Sequence, residues 1–456
     1  MKTTKLFFMA ALALMTAACS NSDNDILTPA EQPAKSEGIP FTATISIGES
    51  ASTRALDEDT GNKKIVATWE TGEKVALIYM VGSTPTKTDA EVTKQADGTA
   101  TISATLASGA TNGSAVTIIY PSDAADGTTG NVKSNLLTAQ DGTLTGTGGT
   151  SIAEKYDVRK GTGKLSINDG KATVNNGTAG TPVSLTNQNA IFKLTLKDID
   201  ATADVSATSV IISDQTGKVT TVTPASGYEK AMYVALPTTA TTLKFLVTGS
   251  DSKKYFNMAS SLSLSASYYQ STIKLATVGH VIASNGKCYK DNAATPGGIT
   301  AVAKICYLGS DNGEAAPYNH GLALALSDAS TACQWKTSRT DAGHTKQPSS
   351  TFTEESGLQY NDATHKTTDY PAFKAAITYS PAAPTGCSSW FLASGYQWQK
   401  MIGAAGVSNL GLQEGVGYWS STEYDAYHAW AFGSLIGNWD NGDKNYYARV
   451  CACLAF

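Results

Sequence analysis

Between residues 65 and 276 the sequence is a succession of short β-branched and aromatic runs, each stopped by Gly, Asp, Asn, Pro or Thr. They are IVATW (65–69), VALIYMV (75–81), ATISATL (100–106), VTIIYP (116–121), AIFKLTL (190–196), VIIS (210–213), MYVALP (232–237), LKFLVTG (243–249) and TIKLA (272–276). Runs of this length and composition suit a pleated, half-buried surface, and no amphipathic helix competes with them over this span. So many strands predict two β-sandwiches with a boundary near residue 186, the Gly/Thr/Asn-rich segments 122–152 and 170–188 serving as loops. A length of 456 residues leaves room for a further domain. With 16% charged residues and a net charge of -5, no Lys/Arg stripe forms, so nucleic acid is not an expected partner.

The stretch Gly38 to Ala55, GIPFTATISIGESASTRA, places Ile39, Phe41, Ala43, Ile45 and Ile47 at every second position with small polar residues between them. One face of such a strand buries and the other is wetted. It is followed by Gly48-Glu49-Ser50-Ala51-Ser52-Thr53-Arg54, the composition of an exposed tether and protease substrate. Read plainly, this is the first strand of a sandwich and its loop. Read with what precedes it, it is also a strand that can be detached.

Upstream, MKTTKLFFMAALALMTAAC has Lys2 and Lys5 ahead of an apolar stretch and Thr16-Ala17-Ala18 ahead of Cys19. This resembles a bacterial lipoprotein signal. The resemblance implies a signal peptide over 1–18, lipidation (palmitate among the acyl chains) at Cys19 and anchoring in the outer membrane. Residues 19–37, polar and carrying Pro29 and Pro33, read as a flexible tether. No later segment approaches the ~20 apolar residues of a membrane helix.

A lipidated chain whose first strand is followed by Thr53-Arg54-Ala55, then by Trp69-Glu70-Thr71-Gly72-Glu73-Lys74-Val75, resembles the fimbrillin family of type V pilus subunits over roughly residues 38–276. The resemblance implies a sandwich at 38–185, with 38–54 removable, and a second at 186–276. It further implies cleavage between Arg54 and Ala55 by an arginine-specific protease and replacement of the lost strand by one from a neighbouring subunit. The strand's apolar core would be Ile39, Phe41, Ala43, Ile45 and Ile47. Losing it uncovers a groove with unpaired backbone on two sides, which another chain must fill.

Past residue 277 the character changes. Six of the seven tryptophans and all cysteines except Cys19 lie here. Ser394-Gly395-Tyr396-Gln397 has capping-box spacing ahead of Trp398, Met401 and Ile402, and Pro371 suits the first turn of a second helix. With strand-like AVAKICYLG (301–309), GLALALS (321–327), YWSST (418–422), AWAFG (429–433) and YYARVCACLAF (446–456), a small α+β domain over 277–456 is expected. The order of WFLAS, YWSSTEY, AWAF, GNWDNGDKN and the terminal strand resembles C-type-lectin-like modules. The fold class expected is therefore mainly β: two fimbrillin-type β-sandwich domains followed by a C-type-lectin-like domain.

Catalysis finds no constellation: the five His show no H-E-x-x-H, and neither G-x-S-x-G nor C-x-x-C occurs. Neither enzyme activity nor a cofactor is expected. Six cysteines allow 15 disulfide connectivities, and buried free thiols are equally open. Binding is the better expectation, with Glu423, Tyr427, Trp439, Asp440, Asn441 and Asp443 mixing flat rings with hydrogen-bonding oxygens. Trp419 and Trp430 sit in strand runs and read as core, whereas Trp439 reads as a turn residue. Asp440, Asn441 and Asp443 could ligate calcium, but the order Trp439-Asp440-Asn441 departs from the Trp-Asn-Asp of calcium-dependent lectins, and no metal is assigned.

The function expected is an adhesive tip subunit of a surface fimbria. It would accept a strand from other pilus subunits and end in a ligand-binding domain for glycan or a host surface protein. The alternative is an uncleaved surface lipoprotein that binds glycan or host protein in its own right.

Overall fold

The computed structural model describes residues 38–47, 57–59, 64–66, 69–95, 99–146, 149–176, 178, 180–434 and 437–456, with backbone alone at 57–59 and 64–66. The signal peptide 1–18, Cys19, the 19–37 tether and the Arg54–Ala55 bond lie outside the described residues. The architecture is mainly β, in several sheets.

The opening strand, Ile39–Ser46, belongs to a nine-stranded sheet. Its order is Lys171–Asn175, Ile39–Ser46, Ala100–Leu106, Thr84–Lys94, Lys74–Val81, Ala115–Tyr120, Arg159–Asn168 and Thr186–Asn187, with Val183–Ser184 beside the opening strand. Instead of two stacked sheets within 38–185, this is one sheet curled until its ends meet. The cause is local. Asp169 (φ 49°) and Gly170 (φ 73°) both adopt the left-handed conformation that a two-residue type I′ hairpin requires, and the hairpin folds Lys171–Asn175 back along Arg159–Asn168 and against the opening strand. The enclosed core gathers Phe41, Ile45, Val75, Leu77, Val92, Ile102, Ile118, Leu165 and Val174.

Two further sheets enclose a second core built on Leu194, Leu196, Val210, Ile212, Val234, Phe245 and Val247. In the three-stranded sheet, Asn189–Asp198 lies between Ala231–Pro237, antiparallel, and Tyr268–Leu275, parallel. The five-stranded sheet runs Lys254–Ala259, Leu243–Gly249, Ala207–Asp214, Val219–Val222 and Ala139–Gln140. The last strand comes from the segment expected to be loop. It is recruited because the buried Gln140 amide donates to the Ala235 carbonyl (2.8 Å) and accepts from the Ala235 N–H (2.9 Å), continuing by side chain what a strand would do by backbone.

The remaining residues form a six-stranded sheet (Cys288–Tyr289, Val281–Ala283, Ala301–Leu308, Gly321–Ala325, Ala452–Ala455, Phe391–Leu392). Beside it is a five-stranded one (Ser330–Gln334, Tyr447–Val450, Gly417–Glu423, His428–Gly433, Trp439–Asp443). Two α-helices accompany them. Pro371–Ile377 begins on its proline, and Gly395–Ala405 carries the reciprocal Ser394/Gln397 capping box before stopping at Gly406. Trp335, Trp398 and Trp419 are wholly buried here, and Trp430 is nearly so. The expected run 446–456 is broken at Cys451, Tyr447–Val450 joining one sheet and Ala452–Ala455 the other.

The cores do not stop at the sheet boundaries. Ile191, Tyr233 and Ala235 reach into the first, while Leu246, Phe256, Met258 and Ala276 join the C-terminal one. Phe256 meets the Phe456 ring at 4.4 Å. That ring lies so close over Gly321 that an added Cβ would meet it at 2.5 Å, so glycine is required there. Ile39–Phe456 thus forms one compact unit.

Candidate functional site

Two places carry the residues singled out from the sequence. The first is the seat of the opening strand. Phe41, Ala43, Ile45 and Ile47 are buried, Ile39 is half-buried, and Thr42 and Thr44 face outward. On one flank the strand pairs antiparallel with Ala100–Leu106 through seven successive residues, from Ile39 opposite Leu106 to Ile45 opposite Ala100. The other flank is parallel and comes from two segments: Phe41 faces Ala172, Ile45 and Ser46 face Val183 and Ser184, and among the described residues no pairing lies between them. Burying the large apolar side chains at about 1.5–3 kcal/mol each contributes roughly 7–10 kcal/mol gross, the scale of a domain's whole net stability.

The strand's far end is held by two further donors. The Leu185 N–H donates to the Ser46 carbonyl (2.7 Å), and the Arg159 Nη1 donates to the Ile47 carbonyl (3.2 Å). Arg159 Nε is itself fixed at 3.1 Å from both carboxylate oxygens of Asp157, with the two side chains only 13% and 7% exposed.

The second place is the turn region of the five-stranded C-terminal sheet. Trp439 opens a strand rather than occupying a turn: it pairs opposite Phe432 and packs edge-on against Phe352 (4.5 Å), leaving it half-buried. Asp440 and Asn441 are exposed on the same edge strand. Asp443 Oδ1 lies 2.8 Å from Arg339 Nη2 and 3.1 Å from His428 Nε2. The His428 Nδ1 faces Asp425 at 2.8 Å. Burial works against Asp425's ionisation. Hydrogen bonds from the Tyr427 and His428 N–H groups and the His428 ring outweigh it and hold the carboxyl below its usual range. Among the described residues no group of three or more His, Cys, Asp or Glu is placed to hold a metal.

Glu423 does not belong with the accessible residues. It is wholly buried and ion-paired with the equally buried Lys444, whose ammonium also donates to the Ala426 (2.9 Å) and Thr340 (3.1 Å) carbonyls. Glu423 further accepts from the Ala342 (2.9 Å) and His344 (3.2 Å) N–H groups. Desolvation draws Lys444 below the usual lysine range despite that carboxylate. The pair shapes the turn from beneath: the Lys444 N–H donates to the Tyr427 carbonyl, and Tyr427 rises 54% exposed above it.

Three further exposed side chains of the C-terminal part are not marked by the sequence pattern. Arg339 lies over the Tyr427 ring at 5.8 Å, and Tyr446 and Tyr447 are 62% and 70% exposed. Strand alternation would bury one of two adjacent tyrosines. Both stay out because Tyr446 ends a turn, its N–H donating to the Asp443 carbonyl, and the strand begins only at Tyr447.

The cysteines beyond residue 277 are free thiols. Burial pushes Cys306 and Cys387 up to about 12, and Cys451 and Cys453 well above the ordinary value, which suppresses the thiolate that sulfur nucleophilic chemistry needs.

No protein-family model and no curated protein matches the chain. Among solved structures, it is similar to a fimbrial protein from Bacteroides ovatus at 14% identity and a TM-score of 0.32, covering 92% of this chain and 99% of that one. It is also similar to a candidate cell adhesion protein from Bacteroides ovatus (10% identity, TM-score 0.30, 53% of this chain and 95% of that one). A third is a candidate cell adhesion protein from Bacteroides uniformis (14% identity, TM-score 0.30, 52% and 94%). These likenesses are remote. No helix among the described residues is long and apolar enough to cross a membrane.

Proposed function

We propose that the chain is an adhesive subunit of a surface fimbria, exported as a lipoprotein through Cys19 to the outer membrane and matured by cleavage between Arg54 and Ala55. Cleavage frees the opening strand, and a strand from another pilus subunit takes its place. The observation that carries this reading is the seat itself. A row of buried apolar side chains on Ile39–Ser46 is backed by a continuous ladder on one flank and only interrupted pairing on the other. A vacated seat of this kind offers two unsatisfied backbone edges and an apolar floor, so only another strand can restore the fold.

The C-terminal surface around Tyr427, Arg339, Asp440, Asn441, Tyr446 and Tyr447 is the part offered to a glycan or a host surface protein. Exposed tyrosines supply broad amphipathic contact at low entropic cost.

The test is proteolytic. Treating the lipidated protein with an arginine-specific protease should yield a new N-terminus at Ala55 and competence to enter fimbriae, while Arg54→Ala should remain a folded, lipidated monomer. Incorporation of Arg54→Ala at normal levels would rule the mechanism out. The second reading, an uncut surface lipoprotein, is favoured by the opening strand having partners on both flanks; resistance to cleavage at Arg54 would select it.

A further inference from the structure

We propose that Arg159 latches the opening strand, so that the strand is held hardest at its Ile47 end, opens from its Ile39 end, and is exchanged in that direction. The functional sense of this rests on the replaceable-strand reading above; the latch itself does not.

The two ends of the strand are built differently. At the first end, Ile39 is only half-buried, Pro40 has no N–H to give to the ladder, and among the described residues Ile39 and Pro40 are paired on the Ala100–Leu106 side alone. At the second end, Ile45 and Ile47 are buried. Ile45 and Ser46 pair with Val183 and Ser184, and the Ser46 carbonyl takes the Leu185 N–H. The Ile47 carbonyl takes the Arg159 guanidinium. Arg159 is suited to the task because Asp157 binds its Nε from both oxygens, which fixes the plane of the fork and leaves Nη1 aimed at the carbonyl of Ile47, just past the strand's end. A charged donor held rigid in a nearly dry site makes a stronger hydrogen bond than a neutral one.

The latch therefore sits on the side nearest the Arg54–Ala55 bond, where cutting would create a loose end. After cutting, that end stays closed through Arg159 while the opposite end frays. An incoming strand gains its first foothold beside Leu106 and Thr105, the partners of Ile39 and Pro40, and breaks the Arg159 contact last. Early loss of the strand, which would leave the seat empty, is thereby delayed until a replacement is already half-seated.

Hydrogen exchange on the full, uncut chain tests this, with the amides of Asn189–Asp198 as internal reference. Amides in the strand's first half should exchange before those in its second half. In Arg159→Ala the Ser46 and Ile47 region should exchange about tenfold faster, equivalent to about 1.4 kcal/mol, with the first half little changed. Should Arg159→Ala fail to fold, Asp157→Asn, which removes the anchor and keeps the guanidinium, should accelerate the same amides. Uniform protection along the parent strand, or unchanged exchange near Ile47 in the variant that folds, overturns the latch. A gradient found in a chain that no protease cuts at Arg54 leaves the latch standing and removes the fimbrial reading.

Discussion

Ile45→Ala tests the seat most directly. Ile45 is wholly buried in the middle of the strand's apolar row. Truncation forfeits about 2.4 kcal/mol of transfer free energy at roughly 0.8 kcal/mol per carbon. A partly relaxed cavity adds to that, for a total of about 3–4 kcal/mol. In a compact unit spanning Ile39–Phe456 that should lower the thermal transition by roughly 4 °C, read by calorimetry or by urea denaturation followed through Trp69. Thr44→Ala, on the outward face of the same strand, should leave the transition within about 0.5 kcal/mol of the parent. The decisive comparison comes after exchange: once the strand has been cut and replaced, the Ile45→Ala molecule should be as stable as the parent, because the altered residue has left. A loss under about 1 kcal/mol before cutting, or a deficit that survives replacement, would show that Ile45 does not hold the strand in its seat.

Two further perturbations probe the C-terminal part. Glu423→Gln should cost about 3–5 kcal/mol by stranding the buried Lys444 ammonium, and Glu423→Gln combined with Lys444→Met should recover most of it, as a urea double-mutant cycle would measure. Acid should also destabilise the fold. Burial lowers His344 from 6.5 to about 3 and His320 to about 4, with the neighbouring His365 and Lys244 respectively as secondary causes. The unfolded chain therefore binds more protons between these values and 6.5, and the stabilisation present above pH 6.5 is lost progressively as pH falls through that window. At pH 5.5 each site accounts for about 1.4 kcal/mol, roughly 3 kcal/mol together, read from urea midpoints at pH 7.5 and 5.5.

What the sequence discloses is what depends on neighbours along the chain. The alternation from Ile39 to Ile47 and the Ser394/Gln397 capping box are local codes, and both appear where their spacing puts them. What it hides depends on partners brought together only by folding. Gln140 sits in a Gly/Thr-rich stretch that reads as loop, yet its amide docks onto the backbone of Ala235, 95 residues away. Glu423, flanked by Tyr424 and Asp425, reads as part of a polar surface. It is buried because Lys444, from the next turn, neutralises it. The exposure of Tyr446 and Tyr447 likewise follows from where a turn ends, which residue periodicity cannot fix.

The sharing of cores across sheet boundaries bears on mechanical load. Tension drawn along the described residues of Ile39–Phe456 is shared between sheets: the Gln140–Ala235 stitch and the Phe256–Phe456 seam lie between them and take the pull through packed side chains. In the proposed fimbrial role, a chain so built would yield first at its grip on a surface or at its junction with the next subunit, and would itself arrive at the break unstretched.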